Sequence, residues 1–207
     1  DTTQSEIRNA DKIVFMFSGQ GSQYLNMGRD LYSEFSTFKT TFDTCCTLLL
    51  KHMDFDLREI LFSTDAANNE KIMQTNVTQP LLFSFEYSLA KLWAEFGITP
   101  NAMIGHSIGE YVAACLSGVF TLEETLFLVA ERGKIMVAQP EGKMLSISLS
   151  ADKVSSLIDN TLEIALVNSP ELCVVAGSQE HIERLKKILT EQKIEFRQLH
   201  TSHAFHS

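Results

Sequence analysis

Residues 102–109 have the sequence AMIGHSIG, in which a short apolar run leads directly into a serine flanked by two glycines. A G-x-S-x-G pattern between a strand and a helix is typical of a nucleophile elbow, a sharp turn that lifts the serine away from the backbone. The start of the following helix supplies free N–H groups and a positive dipole end near the hydroxyl. The sequence therefore predicts that Ser107 is a nucleophile. The alternative is a tight turn in which the serine only caps the helix.

A second glycine-rich loop lies upstream, after the apolar run Lys12–Phe17 (KIVFMF), which is typical of a strand buried on both faces. The loop itself, Ser18–Gln23, has the sequence SGQGSQ. It lacks the third glycine and the downstream acidic residue of a dinucleotide fingerprint, and it lacks the Gly-Lys-Ser/Thr of a phosphate-binding loop. We expect its backbone N–H groups to lie near the elbow of the adjacent strand, where they can bind an oxyanion.

Helical periodicity fills most of the remaining first 140 residues, with a polar break at 63–76. Pro80 fits the first turn of one predicted helix and Gly97 the position after its end. Thr121 and Glu124 form a capping box for another. The predicted helices lie within 27–53 and at 77–96, 108–117 and 122–138.

The pattern changes after residue 143 and predicts a strand, a helix, two strands, a helix and a strand. The predicted bounds are 144–149, 151–159, 162–167, 172–176, 179–191 and 194–199, with a turn at 168–170 between the middle strands. This βαββαβ order is the signature of a ferredoxin-like unit. We therefore expect an α/β fold: a linker end at 1–11, an α/β body with the elbow at 12–142, the ferredoxin-like subdomain at 143–199, and a return to the body at 200–207.

The composition excludes several classes of protein. The chain has 207 residues, 44% hydrophobic and 21% charged, with a net charge of −9, which argues against nucleic-acid and membrane-surface binding. The four cysteines have no CxxC spacing, so we expect reduced thiols in a cytoplasmic protein and no metal site. The most apolar stretch, 102–120, contains a histidine and a glutamate and is not a membrane span. The chain begins with Asp1, and we expect it to be a piece of a longer polypeptide.

A serine nucleophile needs a base, and three histidines are candidates. His106 is adjacent in sequence, but neighbours at such a turn normally point apart, which favours a packed or hydrogen-bonded role. His203 and His206 follow the last predicted strand and can reach Ser107 if the chain returns to the body; the alternative is a mobile tail. Arg132 lies at the edge of an apolar helical stripe, where it either binds a substrate carboxylate or only extends to solvent.

Several of these motifs occur together in one family. They are FSGQGSQY, GHSIGEYVAA, AERG, VNSP with VVAG, and SHAFHS. In order and spacing the chain resembles the malonyl-CoA:acyl-carrier-protein transacylases, and in particular the acyltransferase domains of modular polyketide synthases. The resemblance implies an α/β-hydrolase-like body with an inserted ferredoxin-like subdomain. It also implies that Ser107 is acylated and that His206 is its base. The backbone N–H groups of Gln20 and Ile108 would form the oxyanion hole, and Arg132 would bind the free carboxylate.

The resemblance further implies that His203 and Phe205 shape the pocket near the acyl α-carbon, and that His106 and Asn168 also contribute to substrate binding. The HAFH sequence accompanies malonyl rather than methylmalonyl selection in this family. The implied substrates are malonyl-CoA and a phosphopantetheinyl acyl carrier protein, with no bound cofactor. The implied partners are that carrier protein and a neighbouring ketosynthase domain in a synthase for antibiotics or other secondary metabolites.

One departure from the family concerns the end of the chain. Family members continue well past the residue that corresponds to His206, with further helices and strands that complete the body and hold the base. This leaves open a non-catalytic fragment that keeps the motifs. A serine hydrolase or thioesterase with the same elbow is a separate alternative.

Overall fold

The computed structural model of the chain describes residues 12–199, 201 and 203–207, and the linker end expected at 1–11 lies outside them. The chain divides into two compact units between Met136 and Val137. The first unit is mainly helical, and the second is built on an antiparallel sheet.

The first unit combines a two-stranded parallel sheet with seven helices among its described residues. The strands β1 (Val14–Phe17) and β2 (Ala102–Gly105) pair with Phe17 opposite Gly105. The carboxyl ends of both strands therefore lie side by side, and each leads into one of the two glycine-containing loops. The helices are α1 Arg29–Glu34, α2 Ser36–Leu49, α3 Leu57–Leu61, α4 Asn68–Lys71, α5 Thr75–Glu95, α6 Gly109–Leu116 and α7 Leu122–Val137.

Within the residues of this chain, the first strand is not buried on both faces as expected. Phe17 is buried on one face of β1, whereas Val14 is 52% and Met16 80% exposed on the other. Ile104 of β2 lies opposite Met16 and is also exposed. An apolar run does not say which of its alternating side chains is covered, because that depends on the elements packed against each face of the sheet.

The long helix α5 begins at Thr75, two residues before its predicted start, and the short helix α4 lies within the predicted polar break. Pro80 consequently lies inside the helix rather than in its first turn. The polar residues Thr75, Thr78 and Gln79 are buried, which a hydropathy pattern does not anticipate.

Two predicted helix signals are confirmed. Gly97 follows the end of α5 with a φ of 77°, in the left-handed region that favours glycine at this position. Thr121 and Glu124 form the capping box before α7: the Thr121 N–H donates to Glu124 Oε2 (2.8 Å), and the Glu124 N–H donates to Thr121 Oγ1 (3.2 Å).

The core of the first unit is formed mainly by α2 and α5, with Phe38, Phe42 and Phe83 fully buried. The four cysteines of the chain are free and buried. Burial raises the pKa of the Cys45 thiol to about 12, so it stays protonated and unreactive at neutral pH.

The second unit has the predicted order of elements. They are β3 Lys143–Ile147, α8 Ala151–Ser155, β4 Leu162–Ser169, β5 Leu172–Gly177, α9 Gln179–Glu191 and β6 Phe196–Gln198. The strands form an antiparallel sheet in the order β4-β5-β3-β6, and side chains of α8 and α9 pack on it around Leu145, Val175 and Leu185.

Some bounds in the second unit differ from prediction. The strand β4 continues to Ser169, so the turn to β5 lies at Pro170 and Glu171 rather than at 168–170. The pairing register of β4 with β5 shifts between Val167 and Ser169, which places Asn168 in a bulge. A bulge adds one unpaired residue to a strand, and Asn168 is that residue in β4.

None of the helices in the described part of the chain is long and apolar enough to cross a membrane. Within the same residues, no group of three or more His, Cys, Asp or Glu side chains is arranged to hold a metal ion.

Candidate active site

The turn at Ser107 has the backbone geometry of a nucleophile elbow. Ser107 has a φ of 53°, a left-handed conformation that is uncommon for a residue other than glycine and is often found at functional sites. A Cβ atom at Gly105 would lie 2.1 Å from the Glu110 nitrogen, and one at Gly109 would lie 2.6 Å from the Phe17 carbonyl oxygen. Both glycines are therefore required for the strand and the helix to approach this closely.

Three further contacts hold the elbow in place. The His106 N–H donates to the Phe17 carbonyl (2.9 Å), which extends the pairing of β1 and β2 by one bond. The Glu110 carboxylate accepts from the Gly105 N–H (2.7 Å), and the Glu110 N–H donates to the Ser107 carbonyl (3.1 Å). The half-buried Ser107 thus lies between a fixed strand end and the first turn of α6.

The glycine loop at 18–23 lies against the elbow, as its position after the neighbouring strand predicts. A Cβ atom at Gly19 would lie 2.4 Å from His106 Nδ1, so only glycine allows this approach. The His106 side chain is exposed rather than packed in the interior, with its ring edge at this glycine. The side-chain amide of Gln20 donates to Thr75 Oγ1 (3.3 Å) at the start of α5.

Two backbone N–H groups near the elbow, those of Gln20 and Ile108, are available to a ligand. Ile108 is buried and precedes α6, where the first N–H groups of a helix have no acceptor within the helix. Across residues 12–199, 201 and 203–207, the N–H groups of Gln20 and Ile108 donate to no protein acceptor. Unused N–H groups on two neighbouring loops are the kind of donors that stabilise an oxyanion.

Arg132 lies on α7 with its guanidinium carbon 5.9 Å from the centroid of the Tyr111 ring. Tyr111 is one helical turn beyond Ser107, which brings the arginine to the elbow's own helix. The Arg132 Nη1 atom is buried and has no hydrogen-bond partner in the described residues. The neighbouring Glu131 pairs instead with Lys134 (2.7 Å). A buried cationic donor without an acceptor favours ligand binding over a solvent-exposed role for Arg132.

Two polar side chains at the start of α5 were not identified as site candidates from the sequence. The Asn76 Oδ1 and Gln79 Oε1 atoms are buried and, in the described part of the chain, unpartnered. Both lie at the start of α5, which contacts α7: Gln79 Nε2 lies 3.2 Å from Met136 Sδ, and Gly133 packs against the Asn76 backbone. The signal in the sequence is the polar segment TNVTQ at the start of the helix.

The second unit carries the histidines predicted at the chain end. A Cβ atom at Gly142 would lie 2.6 Å from Ala204 Cβ, so the tail lies directly on the start of the β3 segment. The rings of His203 and Phe205 stack with centroids 6.2 Å apart, and Phe205 is buried. His206 has a φ of 60°, in the left-handed region as for Ser107, and its side chain is exposed.

The predicted site residues therefore fall into two groups. The first unit brings together Ser107, His106, Ile108, Gln20 and Arg132 through the contacts described above. The second unit holds the others, with His203, Phe205 and His206 in the tail and Asn168 exposed in the β4 bulge.

Comparison with known proteins agrees with this geometry. Residues 14–207 match the family model described as acyl transferase domain. Among the relatives is a phenolphthiocerol/phthiocerol polyketide synthase polypeptide of Mycobacterium tuberculosis. It is 39% identical over 198 residues, which is 96% of this chain and 13% of that protein.

Solved structures of the same kind have similar folds. The acyl transferase domain of ZmaA superposes with a TM-score of 0.86 at 40% identity, over 94% of this chain and 47% of that one. The malonyl CoA-acyl carrier protein transacylase from Clostridium perfringens gives a TM-score of 0.83 at 28% identity, over 95% of this chain and 63% of that one.

The chain thus spans about half the length of the ZmaA domain and a small part of the mycobacterial synthase polypeptide. The family match nevertheless covers the whole described chain from β1 onward, including both glycine loops, the arginine helix and the histidine tail. With its mixed α/β fold and this set of motifs, the chain belongs to the acyl transferase domain family.

Proposed function

We propose that this chain transfers a malonyl unit from malonyl-CoA, through an ester on Ser107, to the phosphopantetheine thiol of an acyl carrier protein. The observation that carries the proposal is the pairing of two features in one unit. Ser107 lies at a glycine-flanked elbow with a left-handed backbone conformation. Arg132, on the neighbouring helix α7, contacts Tyr111 and has a buried guanidinium nitrogen without a partner in the described residues. The serine suits acyl transfer, and the guanidinium suits an acyl group with a free carboxylate.

In the first half-reaction, His206 takes the proton of the Ser107 hydroxyl while the oxygen attacks the thioester carbonyl. The Gln20 and Ile108 N–H groups hold the resulting oxyanion, and a single such donor is worth about 3 kcal/mol in comparable sites. The tetrahedral intermediate then collapses by breaking the C–S bond. The CoA thiolate leaves with the proton from His206, and Ser107 keeps the malonyl group as an ester.

In the second half-reaction, the carrier protein's thiol attacks this ester with His206 again as the base. The C–O bond to Ser107 breaks, and the serine recovers its proton from the histidine. This ping-pong sequence needs no bound cofactor, and CoA and the carrier protein use the site in turn.

The free carboxylate of the malonyl group is assigned to Arg132. Its Nη1 atom is buried and unpartnered among the described residues, which supports an acceptor supplied by the ligand. The guanidinium donates to the carboxylate. An acyl group held at both ends leaves little room for water, which favours transfer over hydrolysis.

The finer fold assignment is also a proposal. The βαββαβ order and the strand order β4-β5-β3-β6 support a ferredoxin-like subdomain at 143–199, inserted into an α/β-hydrolase-like body at 12–142. Residues 200–207 then carry His206 back to the body, where His203, Phe205, His106 and Asn168 complete the substrate site. The polyketide synthase relatives support a carrier protein and a ketosynthase as cytoplasmic partners.

Intact-mass measurement of the full-length protein after mixing with malonyl-CoA tests the function directly. A stable covalent adduct with the mass of one malonyl group, transferred when a phosphopantetheinyl carrier protein is added, is the expected result. Rapid release of free malonate without an adduct would identify a hydrolase. Neither an adduct nor malonate would identify a non-catalytic fragment.

The choice between malonyl and methylmalonyl units is expected to depend on Phe205, whose bulky ring is buried and stacked on His203. If this ring lies against the acyl α-carbon, an α-methyl group collides with it, because close-packed sites resist even one added methylene. We expect malonyl to be preferred over methylmalonyl by about 10- to 200-fold. Replacing Phe205 with Ser and His203 with Tyr should reduce this preference and raise methylmalonyl loading. Competitive loading from an equimolar mixture of the two CoA thioesters measures both quantities.

The matched control for the selection between malonyl and methylmalonyl is Lys187→Ala, which changes an exposed residue on α9 of the same unit, outside the proposed substrate site. Equal loading of both thioesters by the wild type, or an unchanged preference in the double variant, would remove the HAFH sequence as the selector.

A further inference from the structure

One partly buried acid in the first unit has no part in the chemistry described above. Glu86 lies in the middle of α5, and its Oε1 atom accepts two hydrogen bonds from the same residue. The donors are the Ser18 N–H (2.8 Å) and the Ser18 hydroxyl (2.5 Å). Ser18 is the first residue of the glycine loop, so this carboxylate holds the point at which β1 ends and the loop begins.

The bonds continue from Ser18 into the loop. The Ser18 and Ser22 hydroxyls lie 2.8 Å apart, and Ser22 Oγ lies 3.2 Å from the Gly19 carbonyl. Farther along, the Gly21 N–H donates to the side chain of the buried Gln23 (2.8 Å). Gln20 lies between these two anchored points, and its backbone orientation is therefore set by how the loop is held on each side.

The energetics argue against a purely stabilising role for this acid. Glu86 Oε2 is buried and, within the described residues, accepts no hydrogen bond. Burial raises the pKa of the carboxyl group to about 6. A carboxylate with one buried oxygen that accepts no hydrogen bond destabilises the folded state, and an apolar side chain of similar size on this helix would avoid that cost. What an apolar side chain could not supply is the pair of hydrogen bonds that Glu86 accepts from Ser18.

We propose that Glu86 is a positioning residue for the oxyanion hole: by holding Ser18, it fixes the glycine loop so that the Gln20 N–H is aimed at the oxyanion. The inference rests on the proposed acyl transfer. Glu86 touches the loop and not the reacting atoms, so it acts through Gln20. Because an oxyanion exists only in the transition state and the intermediate, a misaimed donor lowers the rate of acylation without weakening binding of the thioester.

The test compares Glu86→Ala and Glu86→Gln with Glu95→Ala, an exposed acid on the same helix. Malonyl loading of Ser107 is followed in the full-length protein at a series of malonyl-CoA concentrations. Rates are normalised to the folded fraction measured by circular dichroism. Removing a whole oxyanion donor costs about 10²- to 10³-fold in kcat. For a donor that is only misaimed we expect a fall of about 10- to 100-fold in Glu86→Ala with KM nearly unchanged.

The conservative variant separates positioning from general stability. Glu86→Gln keeps a carbonyl oxygen for Ser18 and should recover most of kcat, and the Glu95→Ala control should match the wild type. A folded Glu86→Ala variant with wild-type kcat, or one in which only KM rises, would overturn the inference while malonyl loading by the wild type still supports the function. If the wild type itself does not load malonyl, the proposed function fails and the inference fails with it.

Ser18→Ala provides an independent test if Glu86→Ala does not fold. It removes one of the two donors to Glu86 and keeps the backbone bond, so we expect a smaller fall in kcat of about 3- to 10-fold at unchanged KM, part of the effect of losing one donor. Unchanged kcat in this variant would overturn the positioning role.

Discussion

Replacing Ser107 with alanine is expected to abolish malonyl loading, with a fall of about 10⁴-fold or more in the rate of acyl transfer. The substitution removes the oxygen that forms the ester, and no other residue of the proposed mechanism can replace it. The fold should persist, because alanine at a φ of 53° is no more strained than serine. Intact-mass analysis after incubation with malonyl-CoA, together with a thermal melt, measures both effects.

The control for this experiment is Ser117→Ala. Ser117 is an exposed serine that follows the other end of the same helix, and its hydroxyl donates to a local carbonyl, that of Ala114 (3.0 Å). This variant should load malonyl as the wild type does. Covalent labelling of the Ser107→Ala protein by malonyl-CoA at a normal rate would show that another residue is the nucleophile.

The second large effect is expected for Arg132→Ala, which should shift the acyl preference from malonyl toward acetyl by about 10- to 150-fold. This range corresponds to the loss of about 1.5–3 kcal/mol for a hydrogen bond to a charged group. Acetyl has no free carboxylate, so its loading should change little. The ratio of kcat/KM for malonyl-CoA and acetyl-CoA, measured in the same full-length variant, gives the effect directly.

Two further variants sharpen this prediction. Arg132→Lys keeps the positive charge but loses the planar fork, so its malonyl preference should lie between those of the wild type and the alanine variant. Lys134→Ala changes an exposed cation on the same helix that pairs with Glu131, and it should leave the preference unchanged. A malonyl-to-acetyl ratio that is the same in Arg132→Ala as in the wild type would make this arginine a structural residue.

The elbow could be predicted from the sequence because its determinants are local. Gly105 and Gly109 flank Ser107 between an apolar run and a helical pattern, and the structure shows why a Cβ atom at either glycine would collide with the backbone. The capping box at Thr121 is local in the same sense. The order of elements in the second unit also follows from short-range hydropathy and turn residues.

Other features depend on contacts between residues that are far apart in the sequence. The exposed face of β1, which carries Met16, is set by what packs on each side of the sheet, and the apolar run alone implied the opposite. The amide oxygens of Asn76 and Gln79, which have no partner among the described residues, lie where α5 contacts α7, more than fifty residues away. Glu86 accepts a hydrogen bond from Ser18 of the glycine loop only when α5 and β1 lie next to each other. A polar residue shows its type in the sequence, but its burial and its partners are set when distant segments pack, because desolvation and hydrogen-bond geometry are properties of the assembled neighbourhood.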